Sequence, residues 1–176
     1  LNDVSEILPD YDEIIVSVPM DGELMEHYGE LSSTLMEATK KALARGDMRL
    51  LGKMLQSLLA YPDGCRHEEV VTLERGGIEE VVASAPALAL DLLPKEERLL
   101  EILAAEKKEG RKAAIFVEHT GTRDLLPTLE EKLRSKGFTP LVLRGHAVRP
   151  EKREDWLREN LATGRYDCLL CNPNLV

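Results

Sequence analysis

The chain has 176 residues, 43% of them hydrophobic and 31% charged, which is enough apolar material for one core or for a core with a helical appendage. Its longest apolar-rich run, residues 81–93, is interrupted by Pro86 and Asp91 and falls short of the roughly 20 residues that a membrane-spanning helix needs. A formal net charge of -9 argues against a strong autonomous grip on phosphates, because sequence-independent affinity for nucleic acid comes from Lys and Arg displacing counterions. Cys65, Cys168 and Cys171 form an odd, sparse set with no export signal before them, so a disulfide framework is not expected and a reducing, cytoplasmic setting is. Leu1 is not an initiator and the chain stops just after an apparent strand, so both ends are expected to be cut.

Residues 11–18 mix apolar, acidic and β-branched side chains ahead of Pro19, which predicts a short strand. Asp21 is placed to cap a helix whose apolar stripe is Leu24, Tyr28, Leu31, Leu35 and Ala42, ending near Gly46. Asp47 caps a second, with Leu50, Leu51, Met54, Leu55, Leu58 and Leu59 on a wide apolar face. Tyr61-Pro62-Asp63-Gly64 should break it. The two helices are expected to pair as a hairpin over residues 21–60. Within residues 68–84, Val70-Val71 and Val81-Val82 flank Gly76-Gly77, a pair that supplies the positive φ angles of a tight turn and so predicts a β-ribbon. Residues 85–93 read as a connector. Pro94 then opens a helix carrying Leu99, Leu100, Ile102 and Leu103 up to Gly110, with Lys95, Glu96, Glu97, Arg98 and Glu101 on a solvated, ion-paired face.

Beyond Gly110 the texture changes. Ala113 to Val117 is a continuous apolar strand, Thr122 to Lys136 a helix with Leu125, Leu126, Leu129 and Leu133 inward, and Thr139 to Leu143 a strand again. Pro150 opens a helix bearing Trp156, Leu157 and Leu161, and residues 167–171 form the last strand. Strands buried on both faces and alternating with helices imply an α/β fold with a parallel sheet and right-handed crossovers, preceded by the helical hairpin and the β-ribbon. Residues 1–93 and 94–176 are the expected units. Three strands alone would leave apolar edges.

Ligands of open parallel sheets collect outside the carboxyl ends of the strands. Three segments are expected there: 118–123, 144–149 and 172–174. In the first, Thr120, Gly121, Thr122 and Arg123 stand at a helix start, where free N–H groups, the helix dipole and a guanidinium can face one anion; N-capping by Thr120 or Thr122 explains the same residues. The second places Arg144, His146 and Arg149 around Gly145, which also suits a solvated basic turn. Two such turns on one edge favour phosphate contact. Cys168 and Cys171 have metal-like spacing, but residues three apart on a strand point to opposite faces, so they read as core thiols. His119 and His146, with Glu118 nearby, lack a third regularly spaced ligand and are not expected to hold a metal.

The run from Ala114 to Asp124, an apolar strand followed by Glu118-His119-Thr120-Gly121-Thr122-Arg123, resembles helicase motif IV of the superfamily 2, Swi/Snf-type ATPases. Leu143-Arg144-Gly145 followed by Pro150-Glu151-Lys152-Arg153 resembles the next block of that family. Residues 168–174 sit where motif V begins, and Leu8-Pro9, residues 11–20 and Tyr28 resemble the segment joining its two lobes. The resemblance covers most of the chain. It implies an incomplete second RecA-like lobe, preceded by the inter-lobe segment, in a helicase or translocase with a nucleic-acid track, taken as DNA. It also implies that Thr120, Gly121, Thr122, Arg123, Arg144 and Gly145 touch the sugar-phosphate backbone, with His146 beside them. ATP and magnesium would belong to the parent protein, whose first RecA-like lobe would be the partner. The chain holds no Gly-x-x-x-x-Gly-Lys-Ser/Thr loop, so it is not expected to hydrolyse ATP alone. Two other classes compete. One is a non-catalytic interaction module using the hairpin 21–60. The other is a small-molecule enzyme on a flavodoxin-like or Rossmann sheet, for which no Gly-x-Gly-x-x-Gly loop is present.

Overall fold

The computed structural model describes residues 12–20, 22–121 and 123–176; Tyr11, Asp21 and Thr122, each invoked above, lie outside them. Helices α1 (Gly22–Leu43) and α2 (Arg49–Gly64) precede an antiparallel ribbon of β1 (Glu69–Arg75) and β2 (Ile78–Ala85). Then follow α3 (Pro94–Lys108), β3 (Ala113–Phe116), α4 (Leu126–Ser135), β4 (Pro140–Leu143), α5 (Arg153–Ala162) and β5 (Cys168–Cys171). Short 3-10 turns at Pro150–Lys152 and Pro173–Leu175 lead into α5 and follow β5. No described helix is long and apolar enough to cross a membrane.

The helical hairpin forms as its periodicity predicts, with Leu24, Leu31, Leu35 and Ala42 of α1 packed against Leu50 and Tyr61 of α2. The ribbon closes this layer. Its turn carries Gly76 and Gly77 at φ 59 and 81, the double positive φ of a hairpin turn whose twist matches the strands. Alternation puts Val71, Leu73, Ala83 and Ala85 inward.

Two expectations fail in this half. Residues 12–18 form no strand, and Ile14 and Ile15 stand 80% and 86% exposed. Their β-branched composition encodes a propensity, but among the described residues no strand pairs with them. Nor does Tyr61-Pro62 end α2, which runs through Pro62 to Gly64. Tyr61 is buried and its hydroxyl donates to Pro86 O at 2.9 Å, so tertiary packing holds the helix past the point where the proline would stop it.

Arg66 stitches the hairpin layer to α3. Its guanidinium donates to Leu90 O at 3.0 Å, Asp91 O at 2.8 Å and both Glu96 oxygens at 2.7 and 2.6 Å. Glu96 also accepts from the Leu93 N–H at 2.9 Å at the start of α3. Thus Glu96 is no solvated surface charge: the pair is 17% and 13% exposed and spans the boundary expected at residue 93. The rest of the α3 face behaves as read, with Arg98 on Glu101 at 2.7 Å.

The second sheet is wholly parallel in the order β3-β5-β4. From β3 the chain crosses past the central position to β4, then turns back to fill it with β5. With right-handed crossovers, reversing direction moves the connecting helix to the other face. Accordingly α4 joins α3 on one face, over Ile115, Cys168 and Leu170. On the other, Trp156, Leu157 and Leu161 of α5 pack over Leu141, Leu143, Leu169 and Cys171. The chain is therefore mixed α/β with a small doubly covered parallel sheet. Only β5 is buried along its whole length. The expectation that β3 is buried on both faces fails, since Ala114 and Phe116 are exposed, the latter 53%. β3 is an edge strand, and α5 covers β4 and β5 instead.

Cys168 and Cys171 lie on opposite faces of β5, as strand geometry requires. Burial, with Asp167 next to it, pushes the Cys168 thiol from 9.0 up to about 11, and burial raises Cys171 as well. Burial, reinforced by Cys65, takes the Tyr61 phenol from 10.0 up to about 12. The unfolded chain ionises these groups first. Their stabilising contribution is thus full below pH 9 and is lost as pH rises through 11 and 12. A urea midpoint series against pH should fall over that window, and a colorimetric thiol reagent at pH 8 should label Cys168 and Cys171 only after unfolding.

Candidate nucleic-acid interface

Because β3, β4 and β5 run parallel, their carboxyl ends open on one edge and bring the loops 117–125, 144–149 and 172–175 together. The first loop folds on itself, with Thr120 N–H donating to Glu118 O and Leu125 N–H to His119 O, both at 3.0 Å. Its helix starts four residues later than the sequence pattern predicts. Asp124 takes the Leu126 N–H at 3.0 Å, and Pro127 occupies the first turn, so residues 123–125 precede α4 instead of forming its first turn.

Of the three arginines of this edge, Arg123 and Arg144 are engaged by carboxylates. Arg123 holds both Glu69 oxygens through Nε, at 2.9 Å, and Nη2, which ties the loop to β1 of the ribbon. Arg144 donates to Asp124 Oδ2 at 2.7 Å, linking the second loop to the first. The second loop closes through Ala147 N–H to Arg144 O at 3.0 Å, and Arg153 at the start of α5 donates to Val148 O and Gly145 O at 3.3 and 3.4 Å. Gly121, Gly145, His146 and Arg149 are exposed, and Thr120 is half-buried.

Asn172 falls on this edge in the sequence pattern without a role; the structure gives it one. Its side-chain amide donates to Val117 O at 3.3 Å, Glu118 O at 3.1 Å and Thr120 Oγ1 at 3.2 Å. Its carbonyl accepts from Asn174 N–H at 2.9 Å, which caps the turn after β5. The only signal in the sequence is an Asn-Pro pair directly after an apolar strand, a turn-initiating dipeptide. Leu175, in the same turn, lies against Gly145, where an added Cβ would meet its Cδ2 at 3.6 Å.

A cleft of about 550 Å³ adjoins the first loop, between the end of α2, the start of α3 and the outer edge of β3. Leu59, Leu99, Phe116, Leu125 and Leu129 supply its apolar wall, and His67, Glu118 and His119 its polar rim. Among the described residues no group of three His, Cys, Asp or Glu side chains is placed to hold a metal ion.

Arg123 has a structural duty whatever else it does. Glu69 is 7% exposed at its side chain, so Arg123→Ala leaves a nearly buried carboxylate without its partner and should cost about 1–3 kcal/mol, the penalty for an unsatisfied buried polar group. Equilibrium unfolding in urea measures it, and no change beyond about 0.5 kcal/mol, the scale of ordinary surface substitutions, would make the pair ornamental.

Comparison with protein-family models, with curated proteins and with solved structures yields no significant match for this chain.

Proposed function

We propose that this chain is the inter-lobe segment and the first half of the second RecA-like lobe of a superfamily 2, Swi/Snf-like helicase or translocase. One observation carries the reading: the three segments that resemble the family's motifs stand on a single edge of a parallel sheet and are tied to one another through Asn172 and the Arg144–Asp124 pair. The strand order supports it against the small-molecule enzyme. Numbered locally, the order is 1-3-2, whereas a Rossmann half places strand 2 centrally and a flavodoxin-like sheet places strand 1 there.

In this reading the exposed backbone around Gly121 and Gly145, the Thr120 hydroxyl, His146 and Arg149 meet the sugar-phosphate track. Arg123 and Arg144 shape the loops through Glu69 and Asp124. ATP and magnesium belong to the parent, with the phosphate-cradling loop supplied by the first lobe. Affinity of this chain alone is low because its net charge is -9. Fluorescence anisotropy with a labelled single strand and a duplex at low ionic strength tests the assignment. Binding should weaken linearly in log salt. His146→Ala combined with Arg149→Ala should reduce the slope by about 0.7–0.9 for each phosphate no longer neutralised. An unaltered slope, or no salt-dependent binding at all, would refute it.

A second reading has its own observation. Met25, Met36 and Leu43 are exposed and lie about three and two turns apart along α1, and Met48, Leu55 and Leu59 are exposed on or beside α2. Apolar surface left over after the helices have paired is what an interaction module presents to a partner. If that is the main role, Met36→Lys with Leu55→Glu abolishes partner capture while oligonucleotide binding stays intact.

A further inference from the structure

We infer that the turn 172–175 is a linchpin that sets the spacing of the two candidate track-facing loops, with Asn172 as its positioning residue. The inference rests on the proposed role of those loops for its functional consequence, but its geometry stands apart from that role. An Asn amide has two N–H donors. Here they face three acceptors, two main-chain carbonyls and one hydroxyl, all within residues 117–120. The carbonyl oxygen of the same side chain closes the turn by accepting from Asn174. Residues 117–120 therefore cannot shift relative to β5 without breaking bonds to this one group. Leu175, two residues past Pro173, rests on Gly145 of the second loop.

Each loop leaves its own strand and leads to a helix on a different face of the sheet, and one direct side-chain bond, Arg144 to Asp124 Oδ2 at 2.7 Å, joins them. The turn after the central strand adds contacts to both, and β5 is the strand hydrogen-bonded to both β3 and β4. A displacement of residues 172–175 is therefore passed to both loops, and a sugar-phosphate backbone spanning them reads their spacing.

The discriminating substitution is Asn172→Asp. It keeps the shape and removes the donors, setting a carboxylate against two main-chain carbonyls and leaving the Thr120 hydroxyl as the one group that can donate to it. If the residue only fills space, the isosteric change is tolerated; if it positions the loops, Asp is at least as harmful as Ala. Exchange of the two hydrogen-bonded loop amides, Thr120 and Leu125, should accelerate in Asn172→Asp by about tenfold or more, the scale of breaking one or two hydrogen bonds. The Gly145 amide resonance should shift although Asn172 does not touch it. Leu175→Ala should alter the Gly145 signal and leave Gly121 in place. Exchange within twofold of the wild type in Asn172→Asp, or an unmoved Gly145 resonance, overturns the inference. Loop amides that respond while oligonucleotide anisotropy does not would uphold the linchpin and sink the track-facing role instead.

Discussion

Replacing Arg66 with alanine is expected to lower the unfolding free energy by about 3 kcal/mol, the lower part of the range for removing one partner of a buried pair. The magnitude follows from what is left behind. Glu96 is 13% exposed at its side chain and would lose both of its guanidinium bonds, while the carbonyls of Leu90 and Asp91 lose their donors. Those four acceptors belong to the connector and to the first turn of α3, so the loss is felt where the hairpin layer meets the sheet layer. Arg66→Lys retains the charge without the planar fork and should recover only part of the deficit, because one ammonium cannot reach four oxygens in that geometry. Urea denaturation followed by Trp156 fluorescence, which reports the sheet layer, and by far-ultraviolet dichroism, which weights the helices, tests more than the midpoint. In Arg66→Ala the two curves should separate if the stitch is what makes the layers unfold as one. Coincident curves with a shift below about 1 kcal/mol, the scale of a single net hydrogen bond, would show that the pair contributes little.

Leu170→Ala should cost about 3–5 kcal/mol, the upper part of the range for truncating a fully buried leucine. Leu170 has no accessible surface and stands on the central strand opposite Ile115 and Val142, with α3 and α4 packed above. Strands on both sides leave the surroundings little freedom to close on the cavity, which is the condition for the larger penalties. The contrast is Phe116→Ala on the edge strand. A phenyl group already 53% exposed has much less burial to lose, and its truncation should cost about 1 kcal/mol, well under the 3–5 kcal/mol of a buried phenylalanine. Thermal or urea unfolding of both variants, compared side by side, checks the ratio. Equal effects would contradict the assignment of β5 as the buried centre and β3 as an exposed margin.

The parts legible in the sequence are those written as local repetition. The 3.6-residue recurrence of Leu24, Leu31, Leu35 and Ala42 specifies α1, and Gly76-Gly77 between β-branched runs specifies the ribbon turn. Two cysteines three apart on an apolar strand dictate opposite faces. What escapes are outcomes decided by residues far away in the chain. Pro62 should end α2, but Tyr61 is anchored to Pro86 O, 25 residues on. Residues 12–18 have strand composition, and composition is silent about whether a neighbour exists. Arg123 reads as a phosphate contact because its own neighbourhood is polar and glycine-containing; its ion pair with Glu69, 54 residues earlier, has no local signal. For the candidate site, the edge and its three segments are readable from the strand-helix alternation. The cross-links among them, Asn172 above all, are not, since a side-chain amide bridging three acceptors leaves no periodic trace.

The strand order carries a consequence for how the chain acquires its shape. β3 and β4 share no ladder; every main-chain bond either makes within the sheet is to β5, and β5 follows them both in sequence. Among the described strands neither β3 nor β4 has a ladder partner other than β5, so their pairing in this sheet waits for residues 168–171. Helix pairing between α1 and α2, and the turn-nucleated ribbon, need only nearby residues and can settle early. The sheet is then a late, non-local event of the kind that slows folding, and β5 closes two open edges at once.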